Sequence, residues 1–234
     1  IKKVVAELDK AKKPIICAGG GVLLSDAAEA LREFSEKHKI PVVSTMMGIS
    51  AMPTKHPMYF GMVGNNGKPY ANRAMNESDL LIMVGARVAD RAVSQPDLIT
   101  NNKVLVHIDV DSAEIGKNAC ASIPIVGDAK HIFDDFLEEQ IFCEHENWIV
   151  TLDSYRNTLG RKRNPNPEYV DPAEFIKKLS LKMEKDAVYV ADVGQNQIWS
   201  CAYHVVREGR FLTSGGMGTM GYSIPAAMGA KVGQ

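Results

Sequence analysis

Short apolar runs alternate with longer stretches of mixed polarity along the first 142 residues. The runs are apolar on both faces and predict strands at residues 13–18, 40–45, 79–84, 103–108 and 123–126. Apolar positions at helical spacing predict helices at residues 27–38, 68–77 and 129–139, with Asp128 capping the last. Buried strands alternating with helices are typical of a parallel sheet covered on both faces. The pattern therefore predicts a doubly wound, Rossmann-like α/β domain over residues 1–142.

A second, shorter series of elements follows a polar helical stretch at residues 148–162. Prolines at 165, 167 and 172 interrupt the pattern, and Asp171 before Pro172 marks a capped helix start. The sequence then predicts a helix to residue 183, a strand at 187–191, a helix from 195, a strand at 211–212 and a helix from 222. Two strands are too few to bury a full core. We predict a nucleotide-binding-type domain (1–142), a helical segment with a linker (143–170) and an incomplete second α/β domain (171–234).

The composition argues against several classes of function. The 27 Lys and Arg residues nearly balance the 28 Asp and Glu residues, and a net charge of -1 creates no field that attracts nucleic acid or anionic lipid. The first residues are amphipathic and charged, unlike a signal peptide or a membrane span. Dispersed cysteines without a C-x-x-C motif indicate a reducing, cytoplasmic location and are expected to pack as small apolar residues: Cys17, Cys120, Cys143 and Cys201.

The ends of the chain suggest that more sequence belongs to it. At 234 residues it exceeds the usual size of one domain. It begins without Met in a helical pattern and stops at Gln234 in another. We therefore expect the chain to be a piece of a longer polypeptide.

Candidate ligand-binding residues of the first domain stand where strands end, because open α/β sheets bind ligands at the carboxyl ends of their strands. Glycines at 19–21 and 85 would let a dinucleotide approach, Arg87 and Arg91 could neutralise a pyrophosphate, and Asp109 could accept a hydrogen bond from a ribose hydroxyl. The spacing is not G-x-G-x-x-G, so the usual nicotinamide motif is absent. The alternative is that the glycines only permit tight turns and the arginines are solvated.

In the second domain, the backbone N–H groups near Gly194 to Asn196 could hold a phosphate at a helix start. The alternative is an N-cap turn closed by Asp192. Further along, glycines at 215, 216, 218, 221 and 229 free the backbone around Thr219 and Met220, as a bulky cofactor pressed against main chain requires.

Other candidates have simpler explanations. Cys143 and His145 have a metal-like spacing but no further ligands nearby, which favours a surface pair over a metal site. His107 lies in an apolar strand and is expected to be a core histidine with its hydrogen bonds satisfied. Methionines near the strand ends are more typical of core filling, although their loops flank the candidate pocket: Met46, Met47, Met58 and Met62.

Several strings at these strand ends are similar to the thiamine diphosphate-dependent decarboxylases and carboligases, and most closely to the acetolactate synthase large-subunit family. The likeness spans nearly the whole chain. It is carried by residues 14–21, Gly85-Ala-Arg87, residues 106–118, Val193-Gly-Gln195 and residues 213–230.

The resemblance implies three α/β domains, of which this chain would hold the middle, FAD-binding one and the start of the C-terminal, diphosphate-binding one. It assigns the diphosphate of thiamine diphosphate to Gly194 and Gln195, and the aminopyrimidine to Gly218 and Met220. The residues that it assigns to FAD are Gly20, Gly21, Thr45, Met46, Met47, Gly61, Met62, Gly85, Ala86, Arg87, Arg91, Asp109, Val110, Asp128 and Ala129. The sequence departs from the family pattern at Val63, Ala89 and Asn196.

The resemblance also implies the reaction: two 2-keto acids, pyruvate with pyruvate or 2-ketobutyrate, are condensed with loss of CO2 in branched-chain amino acid biosynthesis. Thiamine diphosphate acts as the electron sink and Mg2+ holds its diphosphate. A homo-oligomer, a dimer or tetramer, with a small regulatory subunit is implied as well. The family's catalytic Glu and its Gly-Asp-Gly metal motif do not occur in these residues, since Ala129 follows Gly127-Asp128. We therefore expect this stretch by itself to be inactive.

Two other functions stay open at this point. One is a related carboligase or decarboxylase, such as glyoxylate carboligase. The other is a non-catalytic nucleotide-binding module that uses only the middle domain.

Overall fold

The structure is a computed structural model that describes residues 1–142, 145–160 and 163–233. The chain forms two compact units. Unit 1 comprises Ile1–Ala51 and Pro57–Arg161, and unit 2 comprises Met52–His56 and Lys162–Gln234. The second unit is thus built from two separate stretches of sequence.

Unit 1 contains a six-stranded sheet in which every pairing is parallel. The strands are β1 (Pro14–Ala18), β2 (Val42–Ser44), β3 (Tyr59–Met62), β4 (Leu80–Val84), β5 (Val104–Asp109) and β6 (Ile123–Val126). Their order across the sheet is β3-β2-β1-β4-β5-β6, which is the doubly wound order. The predicted fold class is therefore confirmed. The prediction missed β3, because its four residues include Gly61 and do not form a continuous apolar run.

The helices predicted at residues 27–38, 68–77 and 129–139 are present to within one residue, whereas the helical stretch predicted at 148–162 begins two residues earlier and ends four residues earlier. The helices of unit 1 are α1 (Lys2–Leu8), α2 (Gly20–Leu24), α3 (Ala28–His38), α4 (Pro69–Glu77), α5 (Asp97–Thr100), α6 (Ala129–Glu138) and α7 (Glu146–Thr158), with a 3-10 helix at Met46–Ala51. Asp128 caps α6 as predicted, since its side chain accepts hydrogen bonds from the backbone N–H groups of Lys130 and His131. The sequence reading of residues 19–21 as a turn was wrong, because Gly20 already begins α2.

Both faces of the sheet are covered, which explains why β1 and β4 are buried along their full length. On one face Phe34 of α3 stacks on Phe136 of α6 and makes a tilted contact with Phe133, with ring centroids 5.4 and 5.6 Å apart. On the other face Trp148 and Leu152 of α7 join the core that also contains residues of β1 and β4. The Trp148 indole donates a hydrogen bond to the Pro14 carbonyl at 3.1 Å. Aromatic packing thus holds helices to both sides of the sheet.

Helix α7 packs within unit 1, in the stretch for which the sequence predicted a helical segment with a linker, residues 143–170. Tyr155 donates a hydrogen bond to Glu77 of α4 at 2.6 Å, and Arg156 donates one to the Tyr59 carbonyl of the edge strand β3 at 3.0 Å. The outer residues of α7 are polar, and for this reason the sequence pattern did not assign the helix to the first domain. Its inner face nevertheless buries Trp148 and Leu152.

Unit 2 is smaller and contains a two-stranded parallel sheet. Its elements are α8 (Pro172–Lys182), β7 (Tyr189–Ala191), α9 (Gln195–Tyr203), β8 (Phe211–Thr213) and α10 (Ser223–Gly233). Asp171 caps α8 as predicted, accepting a hydrogen bond from the Ala173 N–H at 3.1 Å. The Met52–His56 stretch joins this unit through Thr54, whose N–H donates to the Val206 carbonyl and whose hydroxyl accepts from the Val206 N–H.

The cysteines of the described chain differ in burial. Cys17 and Cys201 are buried as predicted, and burial raises the pKa of each thiol to about 12. Cys120 is instead exposed, because it lies in the irregular segment between β5 and β6. Cys143 lies outside the described residues. Within the part of the chain that the structure describes, no helix has the length and apolar character needed to cross a membrane.

We predict that Lys103→Met destabilises the fold by about 1–2 kcal/mol, the net value of charge-assisted hydrogen bonds at a helix C-terminus. The Lys103 ammonium donates hydrogen bonds to the carbonyls of Met75 and Asn76, 2.7 and 2.9 Å away, at the end of α4. Methionine keeps the apolar stem but cannot donate these bonds. Urea denaturation measures the loss in the free energy of unfolding.

The matched control is Lys130→Met, which removes an exposed ion pair to Asp134 at 3.6 Å. Such a pair contributes about 0.5 kcal/mol or less. Equal losses in the two variants would contradict the capping role of Lys103.

Candidate functional site

The two central strands of unit 1 define a switch point, because β1 leads to β2 and β3 on one side while β4 leads to β5 and β6 on the other. The loops that leave the two strands therefore diverge and open a crevice between them. Backbone hydrogen bonds hold these loops together. The Gly19 N–H donates to the Val84 carbonyl, and the Gly21 N–H donates to the Gly85 carbonyl, each at 2.9 Å.

Glycine is required at this crossing because the two backbones nearly touch. A Cβ atom on Gly21 would lie 2.6 Å from the Gly85 Cα, and one on Gly19 would lie 2.1 Å from the Gly85 carbonyl oxygen. Gly85 also has a φ of +56°, which disfavours any other residue. Contacts within unit 1 are thus sufficient to explain these glycines without a bound ligand. The alternative given above, that the glycines have a structural role only, is therefore sufficient for Gly19, Gly21 and Gly85.

A cavity of about 190 Å³ nevertheless opens beside them, at the carboxyl ends of β1, β4, β5 and β6. Six residues that the resemblance assigned to FAD line it: Gly21, Gly85, Asp109, Val110, Asp128 and Ala129. Leu24, Ser25, Ile108 and Gly127 complete the lining. The structure therefore brings together residues spread over more than a hundred positions of sequence.

Leu24 and Val110 give the cavity exposed apolar walls, with 87% and 75% of each residue accessible to solvent. Sequence reasoning missed Leu24, because residues 19–21 were read as a turn and the helix that carries Leu24 was not foreseen. The available signal was the apolar run Val22-Leu23-Leu24 that follows the glycine-rich end of β1. Two exposed aliphatic side chains at a cavity mouth are suited to contact a flat apolar ring.

The charged groups of this lining are carboxylates. One oxygen of Asp109 accepts a hydrogen bond from the Asp111 N–H at 3.0 Å, and one oxygen of Asp128 accepts from the Lys130 N–H at 2.9 Å. Among the residues that line the cavity in the described chain there is no Lys or Arg. The lining is therefore suited to neutral hydroxyl donors, such as those of a ribose, rather than to a phosphate.

The other residues that the resemblance assigned to FAD lie outside this cavity lining. Gly20 lies against the start of the 3-10 helix, where a Cβ atom on it would be 3.1 Å from the Met47 Cβ. The Thr45 N–H donates to the Ala18 carbonyl at 2.9 Å, which places Thr45, Met46 and Met47 beside the end of β1. Met47 is partly exposed and Thr45 is buried.

The residues that follow β3 and β4 form a further group. The Arg91 carbonyl accepts a hydrogen bond from the Asn65 N–H at 3.1 Å, which brings the Arg91 backbone next to the segment after Gly61 and Met62. The side chains of Arg87 and Arg91 are exposed. Their predicted role at a pyrophosphate stays a prediction.

Ala86 is buried, and its carbonyl makes a 3.1 Å hydrogen bond with Nε2 of His107. His107 is fully buried as predicted, but its Nδ1 has no hydrogen-bond partner within the described residues. Only one of its two ring nitrogens therefore makes the expected hydrogen bond. His145 is buried rather than on the surface, because the first turn of α7 packs inward together with Trp148. Its neighbour in the predicted pair, Cys143, lies outside the described residues.

The glycines of unit 2 differ in kind from those of unit 1. Gly194, Gly218 and Gly221 have φ values of +96°, +65° and +82°, and a Cβ atom on any of them would meet nothing within 4 Å. These glycines supply backbone conformation and leave open space beside the main chain. We call residues 214–222, between β8 and α10, the glycine-rich loop. Its Met217 and Met220 are 91% and 79% exposed.

Asp192, at the end of β7, joins this loop to the strand. One carboxylate oxygen accepts hydrogen bonds from the N–H groups of Val193 and Gly221, at 2.8 and 3.0 Å. The other accepts from the N–H and the hydroxyl of Ser223, at 3.0 and 2.7 Å. The alternative that Asp192 caps α9 was wrong, because the N-cap is Gly194, which has no side chain to accept hydrogen bonds from the first turn of the helix.

Hydrogen bonds from Ser223 and Gly221 lower the pKa of Asp192 from 3.8 to about 2. Since the folded-state pKa lies below the ordinary one, the attachment is complete above the ordinary pKa and is lost as pH falls through the folded pKa. The loop is therefore held by a charged carboxylate at neutral pH.

Behind the loop, buried polar contacts fix the strand ends. The Gln197 side-chain amide donates to the Thr213 hydroxyl at 2.7 Å, and that hydroxyl donates to the Ala191 carbonyl at 3.0 Å. Gly194, Gln195 and Asn196 are exposed at the start of α9. The first N–H groups of a helix lack partners within it and can bind an anion. In the described part of the chain, no three His, Cys, Asp or Glu side chains cluster as metal ligands.

Comparison with protein families decides what this arrangement belongs to. The central domain of the thiamine pyrophosphate enzymes matches residues 1–139, which is more than half of the chain. The chain belongs to the thiamine pyrophosphate enzymes. The family's C-terminal TPP binding domain matches residues 192–234, the stretch that contains Asp192 and the glycine-rich loop.

Curated relatives of this thiamine pyrophosphate enzyme include large subunits of acetolactate synthase. The chain is 39% identical to the acetolactate synthase large subunit of Lactococcus lactis, over all of this chain and 41% of the relative. It is 39% identical to a probable acetolactate synthase large subunit of Methanocaldococcus jannaschii, over 99% of this chain and 41% of the relative. The large subunit of Corynebacterium glutamicum is 38% identical, with 38% of its length covered. The chain thus spans about two fifths of the length of these relatives.

For the switch point we predict that Gly85→Ala destabilises the protein by about 3–5 kcal/mol, since strain at positive φ adds to the cost of overpacking. The new methyl group would lie 2.5 Å from the Gly21 Cα. Guanidinium denaturation measures the loss.

Gly116→Ala is the matched control. Gly116 has a φ of +76° but open space around it, so only the conformational strain of about 1–2 kcal/mol remains. If both variants lost the same stability, the close approach at Gly85 would not be the reason for glycine there.

Proposed function

We propose that this chain is part of an acetolactate synthase, which condenses pyruvate with pyruvate or 2-ketobutyrate and releases CO2 in branched-chain amino acid biosynthesis. The observation that carries the proposal is the open glycine-rich loop, fixed by Asp192 inside the stretch that matches the TPP binding domain. The names of the relatives support the choice of reaction.

Thiamine diphosphate fits the open backbone of unit 2. We propose that the N–H groups at Gly194 and Gln195 hold its diphosphate, and that Gly218 and Met220 contact its aminopyrimidine. Open space beside Gly194 and Gly218 and the exposed side chain of Met220 support this assignment. When bound, the cofactor supplies the electron sink that decarboxylation of a 2-keto acid requires. Mg2+ would be held with the diphosphate by residues that do not occur in this sequence.

FAD fits unit 1 in part. We propose that its adenosine end occupies the cavity beside Gly21 and Gly85, with Asp109 and Asp128 accepting hydrogen bonds from hydroxyl or amino groups. Leu24 and Val110 would flank the ring. The acidic lining supports a sugar and a base in the cavity and leaves the diphosphate to the exposed Arg87 and Arg91.

We further propose that these residues form only one side of the catalytic site, so that this stretch alone does not turn over. The other expected components are a homo-oligomeric partner and a small regulatory subunit. The "large subunit" in the names of the relatives supports the second of these. A cytoplasmic location follows from the same proposal.

The reaction is tested with the product of the gene that encodes this sequence, supplied with thiamine diphosphate, Mg2+ and FAD. Acetolactate from pyruvate, converted by acid to acetoin and measured by colour, is the expected product. Acetaldehyde from pyruvate would indicate a decarboxylase instead, and CO2 released from glyoxylate would indicate a glyoxylate carboligase. Either outcome without acetolactate contradicts the proposal.

A non-catalytic nucleotide-binding module is the second candidate, favoured by the cavity of unit 1. That function predicts binding of FAD or ADP, no response to thiamine diphosphate and no turnover with any 2-keto acid. Binding and product measurements on the same preparation therefore separate the two functions.

For the cavity we predict that Leu24→Ser weakens FAD binding about tenfold, because one exposed aliphatic side chain loses its burial against the ring. Quenching of flavin fluorescence during titration measures the dissociation constant.

Val150→Ser is the control, since Val150 is also an exposed aliphatic residue of unit 1, 68% accessible, and lies on α7 outside the cavity lining. Unchanged FAD affinity in Leu24→Ser would show that this cavity is not part of the flavin site. Equal weakening of FAD binding in both variants would indicate a general loss of structure.

A further inference from the structure

We propose that Asp192 is a positioning residue, which holds the glycine-rich loop in the conformation that receives thiamine diphosphate. The inference rests on the proposed function for the cofactor. Asp192 itself is assigned no contact with the cofactor or the substrate. Its effect is exerted through the backbone of Gly221 and Ser223.

The position of Met220 depends on two backbone anchors. On one side the Thr219 N–H donates a hydrogen bond to the Ser214 hydroxyl at 3.1 Å. On the other side the Gly221 N–H donates to Asp192 at 3.0 Å. Met220 lies between the two anchored amides, with its own side chain exposed. The anchors therefore set the place and direction of the one bulky side chain that the proposal puts against the aminopyrimidine.

Among the described residues of this sequence, side-chain packing contributes little to holding this segment. No described residue of α10 is buried, and Ile224, Met228 and Val232 are 71%, 67% and 88% exposed. Gly218 and Gly221 have positive φ values and open surroundings, so their own backbone is permissive. A loop of this kind has many accessible conformations, and fixing it requires specific bonds.

Asp192 is suited to that task because its carboxylate accepts several hydrogen bonds at once. It binds the N–H and the hydroxyl of Ser223, the first residue of α10, and a negative charge is favourable at a helix N-terminus. Asp192 itself stands at the end of β7, next to Ala191, which is fully buried. The buried end of β7 at Ala191 is thus the point to which the open loop is tied.

The first test measures the loop directly, without any cofactor. Hydrogen exchange followed by mass spectrometry compares the whole chain with the variants Asp192→Ala, Asp192→Asn and Ser223→Ala. We expect exchange across residues 218–223 to accelerate about tenfold or more in Asp192→Ala, because this variant removes the three hydrogen bonds that Gly221 and Ser223 donate to the carboxylate. Asp192→Asn keeps one acceptor oxygen, and Ser223→Ala removes a single bond, so both should show smaller increases.

Asp171→Asn is the matched control. Asp171 also accepts a hydrogen bond from a backbone N–H in unit 2, but it does so at the start of α8. Its variant should leave exchange at residues 218–223 unchanged, and urea denaturation shows whether the variants compared have equal stability. Unchanged exchange at these residues in Asp192→Ala overturns the proposal. If that variant does not fold, the same outcome in Asp192→Asn overturns it.

The second test uses the full product of the gene that encodes this sequence, titrates it with thiamine diphosphate in the presence of Mg2+ and follows tryptophan fluorescence. The dissociation constant should rise about tenfold in Asp192→Ala, less in Asp192→Asn, and remain unchanged in Asp171→Asn. Faster loop exchange with unaltered affinity would overturn the positioning role. Absence of binding by the unaltered protein would overturn the proposed function and the positioning role with it, whereas the exchange result would still report whether Asp192 holds the loop.

Discussion

The close approach of two backbones at Gly21 and Gly85 is the constraint on which the first unit depends. At this crossing the loops after the two central strands share hydrogen bonds and leave no room for a side chain. The doubly wound strand order places the crossing between β1 and β4, where the order of the strands along the sheet reverses. The cavity at the carboxyl ends of the strands exists because the loops are joined here and diverge beyond it. The close packing of the two loops and the opening of the cavity therefore both depend on the crossing at Gly21 and Gly85.

The same residue type serves a different physical purpose in the second unit. In unit 1 glycine removes volume, because a Cβ atom would collide with a neighbouring backbone. In unit 2 glycine supplies a left-handed backbone conformation, and a Cβ atom at Gly218 or Gly221 would meet nothing. The first use yields a rigid crossing and the second a permissive loop. The permissive loop then needs an external anchor, and Asp192 provides it.

Much of the fold could be predicted from the sequence because buried strands and helices place apolar residues at regular spacings. The central strands are apolar along their whole length, and α3 and α6 carry regular apolar stripes that were read to within a residue. The helix caps at Asp128 and Asp171 could also be predicted, since capping is a local interaction. Strand β3 and helix α2 were missed, because glycines interrupt both and their conformations are decided by neighbours distant in sequence.

The candidate site was predictable only in outline. The positions at strand ends follow from the topology, and the cavity does bring six of the residues assigned to FAD together. Which of them lie side by side depends on register and on loop paths, which sequence periodicity does not encode. Asp192 illustrates the limit. A carboxylate before a glycine suggested a local cap, whereas its partners are about 30 positions later in the chain.

The Met52–His56 stretch has a consequence for how the protein is made. Its Thr54 pairs with Val206, 152 residues further along the chain. During synthesis Thr54 emerges long before its partner exists, at rates of about 5–20 residues per second. At these rates roughly 8–30 s pass before the residue that completes the surroundings of Thr54 has been synthesised. A contact of such long sequence separation forms late and slowly, so the surroundings of Thr54 are completed only after Val206 has been synthesised.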